Sequence, residues 1–330
     1  MLTNKQHVHI IGTGAYVPAH VLTNHDLERM VDTSDEWITT RTGIKERHIA
    51  GKHEASSDLA VKAAERALKD AGLKADAIDL IVVATSTPDM FFPSTACFVQ
   101  KKLGIKETVS FDVSAACSGF LYALESARAL LESGLYKTAL VIGAEKFSSI
   151  MNWQDRSTCV LFGDGAGAAV LQCRPGPGGI LSTYLRSDAS YTDILSVPAG
   201  GSRHPADEDV VKRKLNTIHM EGKEVFKLAV HKMISAAHAA LKLANKKEKD
   251  LALLIPHQAN LRIIEAIAQR VDIPRERVYV NVDKYGNMSA ATTIVALDDA
   301  RREGRVRKGD LVELIAFGAG LTWGAAVIQF

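Results

Sequence analysis

The sequence predicts an α/β protein with two pseudo-symmetric halves, each built on one βαβαβ-type unit. Three observations lead there. Apolar β-type runs alternate with helix-period segments from end to end, the pattern of an α/β architecture with largely buried sheets. Residues 79–145 read strand, Ser/Thr loop, helix, strand, small-residue turn, helix, strand, and residues 251–318 read the same way. A Gly/Pro-rich join, "QCRPGPGGI" at 172–180, falls between the copies and divides the chain into halves 1–175 and 176–330.

The first half offers strands at "HVHIIGTG" (7–14), "DLIVVATST" (79–87), "VSFDV" (109–113), "TALVIGAE" (138–145) and "GAGAAVLQC" (165–173). The "GTG" at 12–14 reads as a tight turn after a strand, not as a dinucleotide loop. The second half offers "ALLIPHQ" (252–258), "RVYVNVD" (277–283), "DLVELIAFG" (310–318) and "GAAVIQF" (324–330). Helical spacing marks 57–71, 94–103, 118–132, 222–242, 260–271 and 289–303. In 118–132, Phe120, Leu121, Leu124, Ala127 and Leu131 share one face. A polar segment with Pro and Gly, 196–222, interrupts the second half and predicts an excursion over the surface or across the mouth of a site.

A chain of 330 residues can bury a large core or fold as two domains. Its 47% hydrophobic and 24% charged content is ordinary for a globular protein, and a net charge of +2 gives no argument for nucleic acid. The four cysteines show no C-x-x-C spacing and no nearby His pair, which predicts no zinc site and a reducing compartment. No apolar leader core opens the sequence and no stretch of about 18 apolar residues occurs, so the expected location is cytoplasmic.

The chemistry-bearing candidate is Cys117, in "SFDVSAACSGF", where a strand hands over to a helix among small neighbours. A helix N-terminus carries unpaired N–H groups and partial positive charge, which favours a thiolate and can hold an oxyanion. A lone cysteine is more often a buried structural residue, and Cys97, Cys159 and Cys173, inside apolar runs, are read that way. The repeat adds to the case for Cys117. Its counterpart in the second copy falls at Asn287 to Ser289, and the strand end "ATST" corresponds to "IPHQAN", with His257. Pseudo-symmetric halves bring such strand ends to a common pocket. Taken singly, His257 could cap the helix from Asn260, and Asn287 could be an N-cap for 289–303.

At these residues the chain resembles the thiolase superfamily, and closely the β-ketoacyl-acyl carrier protein synthase III family. "DTSDEWITTRTGIKERHI" (32–49), "FPSTAC" (92–97), "DVSAACSGF" (112–120), "LFGDGAGAAVL" (161–171), "HQANLRI" (257–263), "YGNMSAA" (285–291) and "FGAGLTWGAA" (317–326) match its pattern in order. The resemblance implies a thiolase-like, layered α-β-α-β-α fold. It implies a decarboxylating Claisen condensation between an acyl-CoA primer and malonyl-acyl carrier protein, initiating fatty-acid synthesis through an acyl-cysteine. A relative using other acyl units, in polyketide or quinolone synthesis, is the alternative. Cys117 would be the nucleophile with His257 and Asn287 as partners, and the backbone N–H groups of Cys117 and Ala319 would form an oxyanion hole. Ala319 stands where the family often has glycine. Trp37, Arg41, Arg156, Gly222, Phe226 and Asn260 would bind coenzyme A, which is a substrate; no cofactor is implied. Lys227, Arg262 and Arg270 would dock the carrier protein. Phe92 would reach across a homodimer into the neighbour's acyl pocket, with Met90, Phe91 and 191–204 tuning its depth. The loop 317–320 carries no sulfur, unlike that of non-decarboxylating thiolases, and Asn287 replaces the second histidine of chain-elongating synthases.

Overall fold

The computed structural model describes residues 6–330; residues 1–5, the start of the stretch read above for a leader, lie outside the described residues. Two sheets form. In the first, the spatial order is Gln6–Tyr16, Asp164–Pro175, Thr138–Lys146, Leu80–Ala84, Val109–Val113. Leu80–Ala84 runs parallel to both neighbours, and the two remaining pairings are antiparallel. The second sheet has the order Gly179–Ser187, Thr322–Gln329, Leu311–Gly318, Leu253–Pro256. Its one parallel and two antiparallel pairings fall in the matching places. The same sequence of connections has been laid down twice.

Period-two alternation sorts side chains into layers. Leu80, Val82 and Ala84 face a central core that also takes Val312, Leu314 and Ala316 from the second sheet. Ile81 and Val83 face the opposite side, beneath the helix Ser56–Ala71, while Ile315 and Phe317 face the helix Gly222–Leu243. The helices Gly119–Glu132 and Thr292–Arg302 lie between the sheets. Thr292 to Asp298 are all buried, as a helix covered on every side requires. The result is a five-layered α-β-α-β-α fold. Each fully buried Leu, Ile or Phe of the central layer contributes roughly 1.5–3 kcal/mol. Glu313 breaks the pattern. It is 0% exposed, lies between Leu254 and Val327 in the sheet, and neither carboxyl oxygen has a hydrogen-bond partner.

Several expectations need correction. Gly12 and Gly14 form no turn; they sit inside the strand Gln6–Tyr16. A Cβ on Gly14 would meet Ala63 O at 2.4 Å, so these glycines let the helix Ser56–Ala71 lie directly on the strand. The expected strand 277–283 is reduced to a single bridge from Leu254 to Val278, followed by the short helix Val282–Tyr285. Tyr279 N donates to Leu254 O at 2.9 Å. The next rung of a parallel ladder needs an N–H that Pro256 lacks. Gln258 stands in: its Nε2 donates to Tyr279 O at 3.2 Å and its Oε1 accepts from Asn281 N at 3.0 Å. The strand Gly179–Ser187, the antiparallel pair His20–Thr23 with Glu46–Ile49 and the helix Asp35–Thr42 between them were not expected. Cys97 is exposed rather than buried, and Cys173 is half-buried. Among the described residues no helix is long and apolar enough to cross a membrane.

Candidate active site

Cys117 sits in the short turn Ala116–Ser118, between the strand Val109–Val113 and the helix Gly119–Glu132. Ala116 takes φ 45°, a left-handed conformation that bends the chain sharply before the thiol. Ser289 takes φ 46° in the matching turn Ser289–Ala291 of the second half. The structural counterpart of Cys117 is therefore Ala290, slightly beyond the Asn287–Ser289 expected. The loop between Leu311–Gly318 and Thr322–Gln329 presses on the cysteine turn: a Cβ on Gly318 would stand 2.6 Å from Cys117 N. Thr322 Oγ1 lies 2.9 Å from Ala115 O and 3.0 Å from Ala319 O, and accepts from Ser118 Oγ at 2.8 Å. One hydroxyl pair thus ties the Cys117 turn to the Ala319 loop.

His257 follows the strand Leu253–Pro256, and its N–H donates to Ile315 O at 2.7 Å. It does not cap the next helix; Asn260 does, with Oδ1 accepting from Arg262 N at 2.9 Å. The His257 Nδ1 lies 2.5 Å from Thr292 Oγ1. Asn287 is held by backbone bonds on both sides, to Leu161 O at 2.8 Å and from Gly163 N at 3.1 Å. Asn287 is not the N-cap considered above, since Met288 holds that place before Ser289–Ala291; its Oδ1 accepts from Ser289 N at 2.8 Å, so its amide NH2 is left for the cavity. Leu161 and Gly163 flank a segment anchored by Arg47. This fully buried guanidinium donates to Val160 O, Leu22 O and Asn24 Oδ1 at 2.8–3.0 Å.

Burial dominates the electrostatics. It pushes the Cys117 thiol up to about 12, opposite to the direction expected from the helix terminus alone. The Ser289 hydroxyl lies near enough to favour the thiolate, though short of a hydrogen bond, while Glu145 opposes it. Burial also pulls His257 down to about 3, so the imidazole is neutral at neutral pH. Glu145, 0% exposed, is raised to about 7 by desolvation, against hydrogen bonds from Thr87 Oγ1 at 2.7 Å and Ser86 N at 3.0 Å.

Cys117, His257, Asn287 and Ala319 line one cavity of about 780 Å³. Of the residues expected to bind coenzyme A, Trp37, Arg41, Gly222, Phe226 and Asn260 line it too. Arg156 does not, but its guanidinium lies 5.2 Å from the Trp37 ring centroid, and that of Arg41 lies 4.6 Å away. Arg262 sits 6.0 Å from the Phe226 ring at the mouth. Lys227 is exposed on the helix Gly222–Leu243, next in sequence to Phe226, while exposed Arg270 is about 12 Å beyond Arg262 along the helix Leu261–Val271. Met90, Phe91 and Phe92 are exposed and do not line the cavity of their own chain; Phe92 is 84% exposed. From 191–204, Leu195 to Val197 reach the cavity. The polar excursion is clasped at its base by Leu195–Ser196 pairing with His219–Met220, and Ile218 and Met220 enter the cavity wall. Phe147 and Met233, also in the wall, carried no sequence signal beyond being apolar, whereas Phe317 opens the "FGAGLTWGAA" block.

This fold, with a cysteine, a histidine and an asparagine from opposite halves on one cavity, is that of a thiolase-type condensing enzyme. A family model for 3-oxoacyl-[acyl-carrier-protein] synthase III matches residues 111–189, and its C-terminal counterpart matches residues 241–330. The β-ketoacyl-[acyl-carrier-protein] synthase III of Caldanaerobacter subterraneus subsp. tengcongensis is 56% identical over 321 residues, covering 97% of each chain. That of Clostridioides difficile is 53% identical, covering 97% of this chain and 98% of the relative. The crystal structure of the Aquifex aeolicus synthase III superposes with a TM-score of 0.90 at 50% identity, covering 98% of this chain and 100% of that one. The chain belongs to the β-ketoacyl-[acyl-carrier-protein] synthase III family of acyl-transferring condensing enzymes.

Proposed function

We propose that this chain joins an acyl group from acyl-CoA to the malonyl unit of malonyl-acyl carrier protein, starting fatty-acid synthesis with loss of carbon dioxide. The observation that carries the reading is Asn287. With Oδ1 engaged by Ser289 N, it presents only N–H donors to the cavity that holds Cys117 and His257. An amide cannot act as a base, but it can hold an enolate oxygen.

Cys117 attacks the acyl thioester, and the N–H groups of Cys117 and Ala319 hold the oxyanion. Coenzyme A leaves and malonyl carrier protein takes its place. Decarboxylation moves the C–C bonding electrons towards the thioester oxygen, where Asn287 and His257 Nε2–H meet the charge. The new carbanion attacks the acyl carbon and releases Cys117. The adenine of coenzyme A stacks at the Trp37, Arg41 and Arg156 cluster, with Gly222, Phe226 and Asn260 along the pantetheine. Lys227 and Arg262 meet the acidic carrier protein at the mouth, with Arg270 further out. No bound cofactor is needed, and the enzyme works in the cytoplasm. Residues 1–175 supply the nucleophile and 176–330 the two donors. A second copy would fit at the edge strand Val109–Val113, exposed at Val109 and half-buried beyond it, where it would cover Phe91 and Phe92 and bring Phe92 to its neighbour's acyl pocket.

Intact-protein mass spectrometry after exposure to a panel of acyl-CoAs, without malonyl donor, tests the reading. A stable acyl adduct is expected, lost in Cys117→Ala and discharged by malonyl carrier protein. Rapid release of free acid would instead mark a hydrolase, and labelling that persists in Cys117→Ala would remove Cys117 as nucleophile.

A further inference from the structure

We propose that Thr292 is a positioning residue that keeps hydrogen on Nδ1 of His257, making Nε2 the one ring atom that gains and loses a proton. The proposal rests on the condensing-enzyme reading above. Thr292 opens the helix Thr292–Arg302 and is 1% exposed. Its Oγ1 lies 2.5 Å from His257 Nδ1 and 3.0 Å from Ser289 O. Among the described residues Thr292 is the sole hydrogen-bond partner of the imidazole.

A carbonyl only accepts, and a hydroxyl has one hydrogen. Both contacts are satisfied together in one arrangement: Thr292 O–H donates to Ser289 O, and Nδ1–H donates to Thr292 Oγ1. The reverse orientation would set two oxygens 3.0 Å apart with no hydrogen between them, and Ser289 O would keep only its bond from Thr292 N. The resting ring is therefore the Nδ1–H tautomer, with the Nε2 lone pair available to the cavity.

That arrangement serves both half-reactions. In acyl transfer, Nε2 takes the Cys117 thiol proton as sulfur bonds to the acyl carbon. It passes that proton to the sulfur of coenzyme A as the old C–S bond breaks. Decarboxylative condensation consumes one proton overall. Bulk solvent supplies it, relayed by water in the cavity to Nε2, whose N–H then faces the enolate oxygen, and Cys117 sulfur receives it on release. The incoming malonyl carboxylate offsets the ring's transient charge. Nδ1 keeps its hydrogen throughout.

Thr292→Val keeps the shape and removes the acceptor. Nδ1–H would then be buried unpaired, and the ring would change to Nε2–H. The 15N NMR signals of labelled His257, assigned by comparison with His257→Gln, should show protonated Nδ1 in the wild type and protonated Nε2 in Thr292→Val. Acyl-enzyme formation should slow by about 10²-fold, the worth of a general base. Carbon dioxide release from malonyl carrier protein should slow far less, and Thr292→Ser should restore both. Protonated Nε2 in the resting wild type, or equal slowing of both half-reactions, would overturn the proposal. If Thr292→Val does not fold, the wild-type signals and Thr292→Ser decide it. Failure of the wild type to form any acyl-enzyme would count against the function, while the ring signals would still report on Thr292.

Discussion

Replacing Glu313 by leucine should stabilise this protein, and more so as pH rises. The carboxyl sits inside the strand Leu311–Gly318, is 0% exposed and has no hydrogen-bond partner on either oxygen. Burial, with Glu248 adding to it, holds its pKa well above the ordinary value. Leucine is similar in bulk and removes the unpaired polar atoms, a gain of about 1–3 kcal/mol at acid pH. A second contribution depends on pH. The unfolded chain ionises this group near about 4.3, whereas the folded chain keeps it protonated to higher pH. The stability lent by the protonated form is complete below the unfolded value and is lost as pH rises towards the folded one. Across that window the wild type falls behind by about 1.4 kcal/mol per pH unit. Urea unfolding at fixed protein concentration, at about pH 5 and about pH 7, reads both contributions. Glu313→Gln separates them, since it removes the titration and keeps the polar atoms. A leucine variant no more stable than wild type, or a gain that does not grow with pH, would refute the reasoning.

Gly318→Ala should abolish acyl-enzyme formation, because the added methyl would stand 2.6 Å from Cys117 N and displace the nucleophile's turn; mass spectrometry of the acylated protein checks it. Asn287→Ala should leave acylation in place and slow carbon dioxide release by about 10²–10³-fold, the usual worth of one oxyanion donor. Equal loss of both steps would contradict its role. Arg262→Glu should raise KM for malonyl carrier protein more than for acyl-CoA in steady-state assays; unchanged carrier-protein kinetics would dismiss that surface.

What could be read from the sequence was what local physics determines. Val82 and Val83 lie in one apolar run, and their burial on opposite faces follows from strand geometry. The helix after Cys117 was legible because Phe120, Leu124, Ala127 and Leu131 keep helical spacing. Cys117, His257 and Asn287 were legible as strand-end residues of a repeat. The remainder depended on tertiary contacts. The thiol's raised pKa comes from surrounding layers that outweigh the local helix terminus. Thr292 reaches His257 across 35 residues, and nothing near it in sequence announces that. Ile218 and Met220 sit in a segment polar enough to pass for surface, yet its clasp turns them into the cavity. The paired strands His20–Thr23 and Glu46–Ile49 were too short and polar to show a period.

Gln258 depends on its neighbour Pro256. Because Pro256 offers no hydrogen, Tyr279 O is free to receive the neighbouring side-chain amide, which also grips Pro256 O at 2.7 Å and so brackets His257 from both sides. A variant with an ordinary amino acid at 256 would offer a rival donor for Tyr279 O and loosen the bracket around His257. Positions 256 and 258 are therefore coupled: the residue that denies the sheet its last rung leaves Tyr279 O to the side chain that brackets the backbone of His257.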